Sequence, residues 1–332
     1  MQRRHLVLAV VSALTAPGPA WAQARPKPFR IGLLVGDVVA PHEDEALVAG
    51  LRQAGLVEGR NLIIERRIAG GKLNLVPAMA KELADLKLDA VISTCSATTM
   101  VARQAIGTTP DSTPIVMTHV ADPVGQKFIA SLARPGANVT GQASQAEELL
   151  PKMMGLFASV LPAKAKVAVL MDASSNVHPG LWRALGPIAA PLNLRLVQVQ
   201  AGRRPGQPAL SAAFEDAQRQ QVDGIFVLPD EPFFFVARAE IVALAERHRM
   251  PAFYGVREFV EIGGLMSYGE SLVASFRGVG SYVAKLAAGA KPADLPVSRP
   301  TVFELVVNQK TASALGISMP RDILLSAESV IQ

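Results

Sequence analysis

MPAFYGVREFVEIGGLMSYG, residues 250–269, is the stretch whose reading decides the fold. Ala252-Phe253-Tyr254 is a short apolar run of strand type, and Arg257 with Glu258 sits on one turn of helix. Gly263-Gly264 then breaks the chain before a second strand, 265–268, that leaves through Gly269. Strand, polar turn, strand and glycine exit describe a sheet edge beside a crossing between two bodies. Such a segment predicts one wall of a cleft.

The same alternation of short apolar runs and helical-period stretches extends in both directions, which argues βαβ units and a parallel sheet. Strands are expected at 29–35, 62–65, 90–93, 115–118 and 139–141, and again at 167–171, 194–199, 224–228, 252–254 and 265–268. The second set follows the first at offsets of roughly 125 to 140 residues, with the same kind of element between each pair, so the chain reads as two copies of one architecture. Helices are expected at 43–53, 76–86, 98–106, 124–133 and 147–160, then at 178–190, 208–220, 232–249 and 271–288. A proline-spaced segment after Gly289 precedes a further strand, 302–307, and a last helix, 309–315. The expected fold class is therefore α/β: two similar lobes, each a parallel sheet flanked by helices. Three crossovers join them, near Gly141, near Gly269 and at 296–300. The expected lobes are 28–141 with 270–296, and 142–269 with 297–332.

Length supports this division, because 332 residues exceed one ordinary core. The first residues stand apart. Arg3 and Arg4 precede an apolar run, 6–16, then Pro17-Gly18-Pro19 and the small-residue site Ala20-Trp21-Ala22, the pattern of a secretory signal peptide, assigned to 1–24. No later stretch is long and apolar enough to span a bilayer, so a protein released into the periplasm is expected. The single cysteine, Cys95, allows no intramolecular disulfide. The formal net charge of +5 is not gathered into a basic stripe with interleaved aromatics, which argues against a nucleic-acid partner.

In open parallel sheets, ligands meet the loops beyond the carboxyl ends of the strands. The loop after the third strand, Ser93-Thr94-Cys95-Ser96-Ala97-Thr98-Thr99, sets hydroxyls at a helix start, where free N–H groups favour an anion such as a ligand carboxylate. Equally, Ser96 or Thr98 caps its own helix. Asp37, beyond the first strand, joins the candidate set. His119 either meets the ligand or packs, and Asp122, before Pro123, either caps a helix or contributes to the site. In the second half the loops offer Ser174, Asn176, Asp230, Tyr254, Arg257 and Glu258. Asp230 and Glu258 suit a ligand ammonium, or are solvated turn acids. Tyr254 suggests an aromatic wall beside a flat apolar slot, and one member of Phe233-Phe234-Phe235 can line the cleft.

His119 and Asp122 have no second histidine or cysteine at ligand spacing, so no metal is expected there. No nucleophile motif, phosphate loop or zinc-protease signature is present, and neither an enzyme nor a cofactor is expected. The expected partners are a small-molecule ligand and a membrane permease, with the chain acting as a monomer. The alternatives are a periplasmic sensor that addresses a membrane receptor and, after it, an enzyme whose active site lies in the cleft.

Five ordered blocks carry a family resemblance: LVEGRNLIIERR (56–67), DPVGQKFIASLARPGANVTG (122–141), LPDEPFF (228–234), the opening stretch, and KPADLPVSRPTVFELVVNQKTASALGI (291–317). Together they resemble ABC-transporter substrate-binding proteins of the tryptophan/tyrosine-type uptake group, over essentially the whole mature chain. The resemblance implies a type I periplasmic binding protein that closes on a small molecule and presents it to a permease. It also implies amino-acid ligands whose carboxylate is held at Ser96, Ala97 and Thr98. The chain departs from the family pattern there, with Cys95-Ser96-Ala97 where Gly-Thr-Pro is usual, and 119–121 is less typical as well.

Overall fold

The computed structural model describes residues 27–175, 177–202, 209–229 and 232–332. The expected signal peptide, 1–24, lies outside them. Chain order begins β1 (Phe29–Val35), α1 (Pro41–Gln53), β2 (Leu62–Ile68), α2 (Val76–Asp85), β3 (Ala90–Ser93), α3 (Ser96–Ile106), β4 (Ile115–Val120) and β5 (Val139–Ala143). A second series follows with α4 (Ala146–Ala158), β6 (Lys166–Asp172), α5 (His178–Ala189), β7 (Arg195–Ala201), α6 (Leu210–Arg219) and β8 (Gly224–Val227). It continues through α7 (Pro232–Val236), α8 (Arg238–Arg247), β9 (Ala252–Tyr254), α9 (Glu258–Glu261) and β10 (Met266–Glu270). The chain ends with α10 (Leu272–Ala287), β11 (Phe303–Asn308), α11 (Gln309–Leu315), α12 (Arg321–Ser326) and β12 (Ser329–Ile331).

Two sheets result. The first has five parallel strands in the order β2-β1-β3-β4-β5. The second has seven, β12-β11-β10-β9-β8-β6-β7, parallel except where β10 meets β11. Residues 31–35 of β1 and 167–171 of β6 are continuous runs without a charged side chain because helices cover both faces of each sheet. Apolar clusters accordingly lie on both sides: Leu33, Leu47 and Val283 against Leu34, Leu83 and Met117 in one lobe, and Phe157, Phe226 and Phe253 against Phe214, Phe234 and Tyr254 in the other.

Although α10 follows the last parallel strand of the second sheet, it packs on α1 of the first. That crossing is close because Gly50 and Gly280 meet there; a Cβ on either would overlap backbone of the opposite helix. The return segment lies beside the first crossing, where Ala143 N–H donates to Ser298 O and Ser298 N–H to Gly141 O. Three adjacent strands of chain thus join the lobes, and adjacency permits hinge motion while keeping register.

Some expected elements differ. Residues 124–133 form turns: Asp122 Oδ1 accepts from Gly125 N–H at 2.8 Å, and Lys127 adopts a left-handed φ of 58° that stops helical propagation. Phe128 and Ile129 are nevertheless buried, so the apolar spacing found a core without a helix. The expected helix 232–249 divides into α7 and α8, while α12 and the edge strand β12 were not expected. Asn308 Oδ1 accepts from Thr311 N–H at 3.0 Å to start α11, and Gly316, at φ 74°, ends it. No helix among the described residues is long and apolar enough to cross a membrane.

Candidate ligand-binding cleft

The carboxyl ends of both sheets face a shared cavity of about 130 Å³. A void of about 150 Å³ accommodates one benzene ring, so the space matches a ring-sized apolar group. From the first lobe the lining comprises Val35 at the end of β1, Asp37 and Val38 beyond it, Glu43 of α1, Thr94 to Ser96 at the start of α3, and Thr118 with His119 on β4. From the second come Leu149 and Met153 of α4, Phe234 and Phe235 of α7, and Val256 with Phe259 around α9. Tyr268, Glu270 and Phe276 contribute from the crossing between β10 and α10. The walls are mainly apolar, with polar groups concentrated at the mouth of the first sheet.

Among those polar groups, His119 departs most from regular backbone. Its φ is 53°, beside a register shift between β4 and β5, and such an irregularity re-aims a side chain. Nδ1 lies 3.0 Å from Glu270 Oε2, which makes the imidazole the donor and the carboxylate the acceptor. Glu270 Oε1 accepts from Gln145 N–H at 2.6 Å. One buried carboxylate thus ties a first-lobe strand to two of the three crossings. Sequence reasoning missed Glu270, although its place immediately after the glycine exit was a signal.

Asp37 also faces the other lobe, where Arg238 of α8 brings a guanidinium nitrogen to 3.9 Å. Arg238 donates to Phe235 O at 2.7 Å and lies over the Phe235 ring at 4.5 Å, so it fixes one cleft aromatic as well. Ser96 Oγ accepts from Gln126 Nε2 at 3.0 Å.

Several candidates occupy other places. Thr98 is fully buried, and its Oγ1 accepts from Thr94 and Cys95 N–H, both at 3.1 Å, so the local-cap alternative describes it. Ala97, half-buried in the first turn of α3, does not line the cavity. Asp122 caps its turn on a separate surface depression. Ser174 donates through both N–H and Oγ to Asp172 Oδ1 at 2.7 Å, away from the lining. Arg257 is engaged by Glu261 at 2.9 Å and Glu304 at 3.0 Å.

Tyr254 is a correction of the expected wall: its side chain is wholly buried and stacks on Phe259 at 4.6 Å. Strand alternation sends it into the core, and burial pushes its hydroxyl pKa up. The slot is made by the neighbouring rings instead. Asn176 and Asp230 lie outside the described residues.

His178 was read only as a helix start, yet it braces the second lobe's mouth. Its Nδ1 accepts from Asp172 N–H at 2.9 Å, so Nε2 carries the proton and donates to Pro229 O at 3.1 Å. The ring also lies 5.5 Å from Phe234. Burial depresses its pKa from 6.5 to about 4. Glu258 shows the opposite shift: burial first, then the Glu43 charge, raises it from 4.5 to about 7. Burial raises Glu43 too, opposed by the Ala40 N–H.

These shifts have opposite consequences for stability. The His178 contribution is complete above pH 6.5 and lost as pH falls towards about 4, a swing of about 3 kcal/mol. The contribution of Glu258 is complete below pH 4.5 and lost as pH rises through about 7, so the two offset each other between 4.5 and 6.5. Glu258→Gln removes one side of the balance. Urea denaturation of this variant is expected to lose stability more steeply than wild type on acidification from pH 6.5 to 4.5; equal slopes would contradict the assignment.

Two lobes, each a mainly parallel sheet flanked by helices, around a partly apolar cleft define the type I fold of solute-binding proteins. The ABC transporter substrate binding protein family model matches residues 42–331, and the chain belongs to that family. Among relatives, it is 24% identical to the tyrosine-binding protein of Clostridioides difficile (strain R20291), over 86% of this chain and 78% of that protein. Among solved structures, a conserved domain protein from Vibrio cholerae is 25% identical, with TM-score 0.80, covering 92% of this chain and 99% of the other. An ABC domain in complex with L-Trp from Streptococcus pneumonia is 23% identical, with TM-score 0.77, covering 92% and 100%. The family is one of substrate-binding proteins of ABC transporters; one of these relatives is named for tyrosine binding, and one solved structure holds L-Trp.

Proposed function

We propose that the chain is the periplasmic receptor of an ABC importer, and that it closes on a free amino acid with an aromatic side chain. One observation carries this reading: a single cleft joins a ring-lined slot, formed by Phe234, Phe235, Phe259, Phe276 and Tyr268, to a polar end bearing Asp37, Ser96 and His119. In this reading the ligand carboxylate meets the first-turn N–H of α3 at Ser96, where the helix dipole favours an anion. Asp37 receives the ammonium, and the ring enters the slot. The tyrosine-binding relative and the L-Trp-bound neighbour support the ligand class.

Contacts made only when both lobes touch the ligand shift an open–closed equilibrium by differential affinity. Moving it from mostly open to mostly closed takes about 5 kcal/mol, which a few charge-assisted hydrogen bonds of about 1.5–3 kcal/mol each supply. The permease then reads closure. Residues 1–24 direct export and are removed, the lobes divide at 28–141 with 270–296 and 142–269 with 297–332, and the receptor works as a monomer.

Calorimetric titration with L-Trp, L-Tyr, L-Phe, L-Ala and a pentose tests the reading. Aromatic amino acids are expected to bind most tightly, and Asp37→Asn to weaken them by at least about tenfold, or about 1.4 kcal/mol. No heat from any aromatic amino acid would overturn the ligand class, whereas unchanged affinity in Asp37→Asn would remove the ammonium assignment.

A further inference from the structure

Glu43 of α1 and Glu258 of α9 come from different lobes, yet both are withdrawn from water, at 2% and 5% exposure. Glu43 Oε2 accepts from Ala40 N–H at 2.8 Å. By contrast, Glu43 Oε1 and both oxygens of Glu258 are buried and accept no hydrogen bond from another residue. Two facing carboxylates without compensation repel one another, and buried uncompensated charge is strongly unfavourable. The nearby guanidinium groups are engaged elsewhere: Arg238 with Asp37 and the Phe235 carbonyl, Arg257 with Glu261 and Glu304. His42, exposed beside Glu43, adds a third donor, and one atom from each of the three side chains lies within 4.8 Å of the others.

We propose that His42, Glu43 and Glu258 form a binding site for a divalent cation of the Zn²⁺ class, clasping the two lobes beside the cleft. One imidazole nitrogen and two carboxylate oxygens are a donor set suited to such an ion, with the exposed side open for water as a fourth ligand. The nitrogen disfavours Mg²⁺ and Ca²⁺, which take oxygen donors. Zn–N and Zn–O bonds of about 2.0–2.2 Å set ligand atoms about 3.3 Å apart, so the donors draw inward by about 1.5 Å at most. Side-chain rotation or slight further closure accommodates that change. Because ligands come from both lobes, the ion binds the closed form better and biases the equilibrium towards it. The site neither requires the amino acid nor restates its recognition.

Full-length mature protein stripped with EDTA and then dialysed free of chelator is titrated with ZnCl₂ by calorimetry, with MgCl₂ and CaCl₂ as comparisons, and lobe closure is followed by X-ray scattering. Expected are one Zn²⁺ per chain with Kd of about 10 µM or tighter, a smaller radius of gyration, and at least about tenfold weaker binding in both His42→Ala and Glu258→Gln. Absence of Zn²⁺ binding, or unchanged binding in both variants, overturns the site. Loss in Glu258→Gln with His42→Ala unchanged overturns the imidazole ligand and the ion class. Since His42 is exposed, its variant tests the proposal without disturbing the core. A parallel L-Trp titration of wild type in EDTA reads the amino-acid function separately.

Discussion

Replacing Glu270 by alanine is expected to destabilise the protein by about 4 kcal/mol and to weaken ligand binding by at least about tenfold. The carboxylate is 6% exposed and is shared between the His119 imidazole at 3.0 Å and the Gln145 N–H at 2.6 Å. Its removal leaves both donors short of an acceptor at the point where β4 and two crossings meet, and it creates a small void. Glu270→Gln should lose less stability, since the amide oxygen still accepts from Gln145, but the partner of His119 changes from charged to neutral. Urea denaturation and calorimetry separate the two effects. A Glu270→Ala protein with wild-type midpoint and wild-type affinity would show that the carboxylate neither braces the hinge nor orders the cleft.

The second large effect is expected at His178. Alanine there removes the acceptor of Asp172 N–H and the donor to Pro229 O in one step. Each buried group left unpaired carries about 1–3 kcal/mol, and the lost ring packing against Phe234 adds to that, for about 4 kcal/mol in all. Because Phe234 lines the cleft, affinity for an aromatic ligand should fall as well. His178→Asn tests whether a smaller polar side chain restores part of the stability. Denaturation midpoints equal to wild type in His178→Ala would contradict the bracing role.

Much of the architecture was legible because strand periodicity and helix punctuation are local properties. The run FRIGLLV specified a strand buried on both faces, and Gly316 marked the end of α11. The expectation at 124–133 failed on an equally local ground: apolar spacing alone does not reveal a left-handed residue such as Lys127, which redirects the chain while Phe128 still reaches the core. β12 was overlooked because three residues carry too little periodicity to stand out, and only a neighbouring β11 gives them a partner.

Within the cleft, Asp37, Ser96 and His119 were legible from loop position, since strand carboxyl ends converge in this class of sheet. Tyr254 was misread because which face of a strand meets the core is decided by the layer packed on it. Glu43 and Arg238 could not be selected for the opposite reason: each acts through a partner far away in the chain.

By itself, the sequence determined two α/β lobes, three crossings and loops rich in polar groups at the mouth of the sheets. Those features follow from hydrogen bonding and burial patterns within a few residues. Only the tertiary structure decided that Glu270 holds His119 to Gln145, that Arg238 faces Asp37, and that Glu43 meets Glu258. Their energies depend on separation in space and on exclusion of water, which appear only once both lobes have folded and faced one another.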